Sequence, residues 1–127
     1  MKTTDTIFNQ HNENVTFMQK LFFYKDEIAI MKNRIGEVAA KNSSKDVLAQ
    51  IEHFQNQLIV QADNIDRIKH EIGLNEKALE ANINKNETAS DHRKVADHAF
   101  EREQVEGFEK HFNELRAELK AFLAKWM

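Results

Sequence analysis

The segment 51–79, IEHFQNQLIVQADNIDRIKHEIGLNEKAL, carries a large apolar residue at every seventh position. The residues of this row are Ile51, Leu58, Ile65, Ile72 and Leu79, and a companion row includes Val47, Phe54 and Ile68. Two apolar positions per heptad are typical of a helix that buries one stripe along its length. Gly73 does not shift the phase, and one glycine costs a helix only about 1 kcal/mol relative to alanine. The pattern predicts one continuous helix over about residues 45–86.

Two flanking segments have the same repeat. A first helix, predicted over about residues 5–42, has the row Ile7, Asn14, Leu21, Ile28 and Ile35. A third helix, predicted over about residues 90–126, has the row His98, Val105, Phe112, Leu119 and Trp126. The three segments thus offer apolar stripes of similar length that can bury one another.

Short polar stretches separate the three predicted helices. NSSKD (42–46) offers Ser43 or Ser44 as an N-cap, and NKNETAS (84–90) offers Thr88 or Ser90. Helices joined by short loops pack as antiparallel neighbours. The sequence therefore predicts an all-α fold in which three long helices form an antiparallel up-down-up, coiled-coil-like bundle. We expect a single domain over residues 1–127.

Composition restricts the class of protein. The chain has no proline, no cysteine and three glycines, which favours a few long elements over many turns. The net charge is −3 with both signs interspersed, so no basic stripe for nucleic acid is expected. No apolar run approaches the ~20 residues that span a bilayer, and no membrane partner is expected. The N-terminal segment has no apolar signal core, which together with the lack of cysteine predicts a cytoplasmic location.

The first helix carries more apolar residues than one buried stripe needs. A second row, Phe8, Val15 and Phe22, again has a seven-residue spacing, and Phe23 and Ile30 lie outside both rows. Ile59 and Val60 form a similar excess on the second helix. Exposed apolar patches of this kind mark association surfaces. We therefore predict a homodimer interface that contains all seven residues; the alternative is a curved monomer core that absorbs Phe22 and Phe23.

Several positions of the predicted seam are polar. Antiparallel pairing brings Gln10 together with five candidate pocket residues near the second turn: His11, Asn14, Asn75, His98 and Arg102. Single polar residues in a helical core commonly set the register of packing at some cost in stability. The cluster is therefore interpreted either as a register-setting hydrogen-bonded layer or as a pocket for a ligand or metal ion. Nearer the middle of the bundle, Tyr24, Gln61 and Arg116 are expected at one level.

The spacing of histidines and carboxylates does not match known metal signatures of helical bundles. No histidine follows a glutamate at Glu-x-x-His spacing, and none precedes another histidine or glutamate by four residues. The pairs His98–Glu101 and His111–Glu114 are compatible with ordinary surface pairs. No metal ligand set, cofactor or catalytic residue is therefore predicted.

The sequence favours a non-enzymatic helical bundle that acts as a protein–protein interaction or structural module. Its expected partners are a second copy and an unidentified protein. The alternative is a bundle that binds a metal ion or small ligand in the polar layer near His11, Asn75 and His98.

Overall fold

The protein folds as a bundle of three helices of equal length. In the computed structural model, α1 spans Thr3–Lys41, α2 Lys45–Ile83 and α3 Thr88–Trp126, each of 39 residues. The structure describes residues 3–83 and 88–127, with side chains described over 7–81 and 98–127. The observed helix ends differ from the predicted ones by one or two residues at three ends and coincide with them at Lys45 and Trp126. The predicted end of the second helix, residues 84–86, lies outside the described residues.

Contacts between side chains establish the directions of the helices. Asn14 of α1 hydrogen-bonds Asn75 of α2 at 2.8 Å, and Lys25 approaches Asp66 at 2.6 Å, so α1 and α2 run antiparallel. The ring of Phe54 on α2 packs on that of Phe122 on α3, with centroids 5.1 Å apart. The predicted up-down-up arrangement is confirmed.

The heptad rows form the core. Leu21, Ile35 and Leu58 are inaccessible to solvent. On each helix, most residues of the heptad row and of a companion row three residues after it are buried. Burying one large aliphatic or aromatic side chain contributes about 1.5–3 kcal/mol. Other core residues of these rows include Ile28, Val38, Ile51, Ile65, Ile68, Ile72, Val105, Phe112 and Leu119. The seven-residue spacing therefore decides which side of each helix faces inward.

The first turn is closed by hydrogen bonds of its own residues. The amide of Asn42 donates to the carbonyl of Val38 at 2.9 Å and so satisfies a free acceptor at the end of α1. The backbone N–H of Leu48 donates to the carbonyl of Ser44 at 3.0 Å, which places Ser44 at the N-cap position of α2. The other predicted caps, Thr88 and Ser90, lie outside the described side chains.

Helix α2 continues through Gly73, as the unshifted heptad phase predicts. A Cβ atom built at Gly73 or at Gly107 of α3 meets nothing within 4 Å. Neither glycine is therefore required by a close approach of another helix.

Gly107→Ala is expected to raise the free energy of unfolding by up to about 1 kcal/mol, because alanine loses less backbone entropy in a helix and has open space here. Urea denaturation followed by circular dichroism measures this difference. The matched control is Ala117→Gly at an exposed site of the same helix, which should lower the free energy of unfolding by a similar amount. A destabilising Gly107→Ala would contradict the open environment.

Candidate interaction surface and buried polar layer

All seven predicted interface residues are exposed on the described chain. Phe22 retains 54% and Phe23 63% of its accessible surface, so a single chain's core does not absorb them. The others are between 42% and 59% exposed: Phe8, Val15, Ile30, Ile59 and Val60. Large apolar side chains so exposed and so close in sequence are candidates for burial by a partner.

Some of these residues share the outer surface between α1 and α2. Val15 and Phe22 line a shallow cavity of about 230 Å³ that Glu76 of α2 borders. The ammonium group of Lys69, also on α2, lies 4.1 Å from the centre of the Phe22 ring. Ile59 belongs to this side of α2, since Asp66, seven residues later on the same helix row, contacts Lys25 of α1. We call this surface the α1–α2 face. It contains the row Phe8, Val15 and Phe22 of α1 and Ile59 of α2.

The remaining predicted interface residues lie elsewhere. The Phe23 ring packs edge-on against Tyr24, whose own ring contacts Phe108 and Phe112 of α3. Phe23 therefore lies on the α3 side of α1, as does Ile30, seven residues later. Val60 lies on the α3 side of α2, because Arg67 of its row donates to Gln104 of α3 at 3.1 Å. Consecutive residues of a helix diverge by about 100°, so the predicted patch is divided between different faces.

The predicted polar layer forms two hydrogen-bonded clusters. In the first, the amide nitrogen of the buried Asn14 donates to Asn75 Oδ1 and to Glu76 Oε1, both at 2.8 Å. Glu76 also pairs through Oε2 with His11 Nδ1 at 2.8 Å. Asn14 thereby ties α1 to α2 at one level, and the exposed His11 adds a contact at the rim.

The second cluster surrounds His98. Its ring is 3% exposed, stacks on Phe17 and hydrogen-bonds Glu13 through Nε2. Arg102 donates to the same Glu13 oxygen from Nε at 3.1 Å and from Nη2 at 2.7 Å. His98 Nδ1 lies 3.6 Å from Glu101 Oε2. One carboxylate of α1 thus holds two side chains of α3.

The interpretation of His98 and Glu101 as a surface pair is wrong, because both side chains are buried. Glu101 occupies the companion heptad position seven residues before Phe108, a signal that the sequence already contains. His111 and Glu114 are an exposed pair at 4.0 Å, as predicted. Sequence reasoning also missed Glu13 and Glu76, which flank the seam.

Hydrogen bonding alters the acidity of Glu13. Partial burial raises the pKa of its carboxyl, but the hydrogen bonds from Arg102 and His98 outweigh burial, so that the pKa lies below its usual value. The same contact raises the pKa of Arg102. A carboxyl with a lowered pKa in the folded state stabilises the fold above its unfolded pKa, and that stabilisation is lost as the pH falls through the folded pKa.

The middle level joins α1 to α3 through charged groups. Arg116 binds Glu27 in a bidentate pair, with Nε to Oε2 at 2.5 Å and Nη2 to Oε1 at 2.7 Å. The Tyr24 hydroxyl donates to Glu109 at 2.8 Å; burial, followed by this hydrogen bond, raises the Tyr24 pKa to about 12. Arg116 also stacks over the Tyr24 ring, so these two predicted neighbours do meet. Gln61 is buried, and its side-chain oxygen makes no hydrogen bond within the described part of the chain.

Neither a metal-binding cluster nor a membrane-spanning stretch is found among the described residues. Over 7–81 and 98–127, no three His, Cys, Asp or Glu side chains converge as a metal ion would require. Each carboxylate of the polar layer already has a protein partner: Glu13 binds Arg102, Glu76 binds Asn14 and Glu101 approaches His98. Among the described residues, no helix has an apolar stretch long enough to cross a bilayer.

Glu13→Gln is expected to lower the free energy of unfolding by about 1 kcal/mol near neutral pH, because the half-exposed charge-assisted hydrogen bonds to Arg102 and His98 are weakened. As the pH falls through the folded pKa of Glu13, the difference between the two proteins should shrink, since the native carboxyl becomes neutral. Urea denaturation across the acidic range measures this. Glu114→Gln at an exposed site is the control; an unchanged difference at every pH would contradict the assignment.

Asn14→Leu alone is expected to destabilise the bundle by about 1–3 kcal/mol, because the amide of Asn75 and the carboxylate of Glu76 lose a buried donor. Adding Asn75→Leu should restore much of that loss, since two apolar residues then face each other. A double-mutant cycle measured by urea denaturation gives the coupling between Asn14 and Asn75. Additive effects would show that their hydrogen bond does not join α1 to α2.

Comparison of the chain with protein-family models, with curated proteins and with solved structures gives no match. The arrangement of side chains on the bundle is therefore the basis on which a function is proposed.

Proposed function

We propose that this protein is a non-catalytic interaction module that pairs with a second copy of itself through the α1–α2 face. The observation that carries the proposal is the row Phe8, Val15 and Phe22, which is apolar and exposed although the core of the chain is complete without it. An isologous dimer presents the same patch from both subunits, and a surface row along one helix can form such a patch.

The α1–α2 face has the composition of an interface. Phe22 and Val15 form its centre, and Met18 lies partly buried between them. Charged side chains border this apolar strip: Lys69 and Glu76 come from α2, and Lys25 is already paired with Asp66. An apolar centre with a charged rim is the usual anatomy of a specific protein interface.

The buried polar layer supports a structural role better than a ligand-binding role. Asn14, Glu13 and Glu76 each use their polar atoms to join two helices. Such contacts stabilise one alignment of α1 against α2 and α3, which keeps the α1–α2 face in a constant shape. A rigid surface loses less conformational entropy when a partner binds. We expect the module to act in the cytoplasm, and its cysteine-free composition is compatible with that location.

Phe22→Lys is expected to convert the dimer to a folded monomer, because it places a charge at the centre of the face. Light scattering coupled to size-exclusion chromatography measures the mass, and circular dichroism verifies the helices. The matched control is Phe23→Lys, an adjacent and equally exposed phenylalanine that lies on the α3 side of α1 and should remain dimeric. An unmodified protein that stays monomeric at high concentration would overturn the proposal.

A further inference from the structure

The outer row of α1 has large side chains toward its N-terminal end and small ones toward its C-terminal end. In heptad steps it reads Phe8, Val15, Phe22, Ala29 and Gly36. The first three residues are exposed and apolar, and Ala29 and Gly36 are exposed as well. A Cβ built at Gly36 meets nothing within 4 Å, so there is open space above this end of the helix. One end of the row therefore protrudes and the other is recessed.

This gradation fits an antiparallel copy of the same helix. A two-fold axis that passes through Phe22 places Phe8 opposite Gly36 of the second copy and Val15 opposite Ala29. The two copies of Phe22 then meet on the axis, and Phe8 and Val15 each meet a smaller residue. Parallel pairing would instead oppose Phe8 to Phe8 and Gly36 to Gly36, which gives a clash at one end and a void at the other.

The corresponding row of α2 is consistent with the same two-fold axis. It contains Ile59, Asp66 and Gly73 in heptad steps, with Ile59 half exposed and open space above Gly73. Asp66 lies about level with the centre of the α1 row, because Asn14 hydrogen-bonds Asn75, and Phe23 and Asp66 each lie nine residues along their helices from that pair. The axis that centres on Phe22 therefore also sets Ile59 opposite Gly73 of the second copy. The rows of α1 and α2 thus indicate the same two-fold axis.

Away from the axis, charges on the face are complementary in this arrangement; near the axis, Asp66 faces its own copy, and each Asp66 is paired with Lys25 of its own chain. Glu76 lies level with Asn14 and His11, about as far from Phe22 as Lys32 lies in the other direction along α1. Lys32 is exposed and belongs to the α2 side of α1, seven residues after Lys25. The antiparallel copy brings Glu76 near Lys32 of its partner, twice by symmetry. Opposite charges so placed favour one orientation over the other.

A seven-residue row can stay in contact over this length. The row from Phe8 to Gly36 is about 42 Å long, from 1.5 Å of rise per residue. Helices that cross at about +20° keep heptad positions facing each other along such a distance.

We infer that two copies of this chain pair face to face and antiparallel about a two-fold axis at Phe22, with Phe8 of each copy seated above Gly36 of the other and Ile59 above Gly73. The inference rests on the proposed self-association and adds its orientation and its contacts.

Disulfide trapping tests the orientation. Because the chain has no cysteine, only the introduced cysteines can form a disulfide. Val15→Cys and Ala29→Cys are prepared separately in the full-length protein, mixed under mild oxidation and examined by non-reducing electrophoresis. The mixture should give covalent dimers several-fold faster than either variant alone, because only opposite residues reach bonding distance. Rapid linkage of Val15→Cys with itself would indicate parallel pairing and overturn the inference.

Complementary substitutions test the contact between Phe8 and Gly36. Gly36→Leu should weaken dimerisation at least tenfold by filling the space for Phe8, and adding Phe8→Ala should restore much of it. Gly107→Leu on α3 is the matched control and should leave the dimer unchanged, with circular dichroism as the check on folding. If the unmodified protein is monomeric, the proposed function fails; if it is dimeric but Gly36→Leu dimerises normally, only the orientation is wrong.

Discussion

Burial of the heptad rows is the interaction on which the rest of the structure depends. Leu21, Ile65 and Phe112 are inaccessible to solvent because each helix turns the same two heptad positions toward the other two helices. That requirement determines where all other positions lie. Residues beside the rows become the flanks that pair across helices, and those farther away form the outer faces. The polar clusters and the exposed phenylalanines are both consequences of this geometry.

Polar contacts refine what apolar burial leaves open. Leucine and isoleucine at heptad positions tolerate a helix that slides by one heptad, because the pattern repeats. The buried Asn14 pairs with Asn75, and Glu13 holds both His98 and Arg102, so a shifted alignment would leave these groups without partners. Burying such groups unpaired is costly, which makes one alignment preferred. The polar layer thus contributes more to the uniqueness of the fold than to its free energy.

The exposed residues are most informative when they are separated by face. Phe22 and Phe23 are neighbours in sequence, yet one is covered by Lys69 of α2 and the other packs against Tyr24 toward α3. The α1–α2 face combines a sustained apolar row with glycines that have open space above them. Its large and small residues are arranged in opposite order about one level on both helices. This opposite order is the feature that supports a second copy of the chain as the proposed partner of the face.

The sequence by itself determined the all-α class, the three helices, the short turns and the identity of most core residues, because seven-residue periodicity is a local property that each helix carries alone. It also brought Asn14, Asn75 and His98 to one level, since short loops leave little freedom in antiparallel pairing. Only the tertiary structure placed Glu13, Glu76 and Glu101 in the polar layer and divided the predicted interface between faces. Those assignments depend on which neighbouring helix lies beside each flank of a helix. The heptad repeat specifies the buried side of a helix but not the neighbour that lies on each flank.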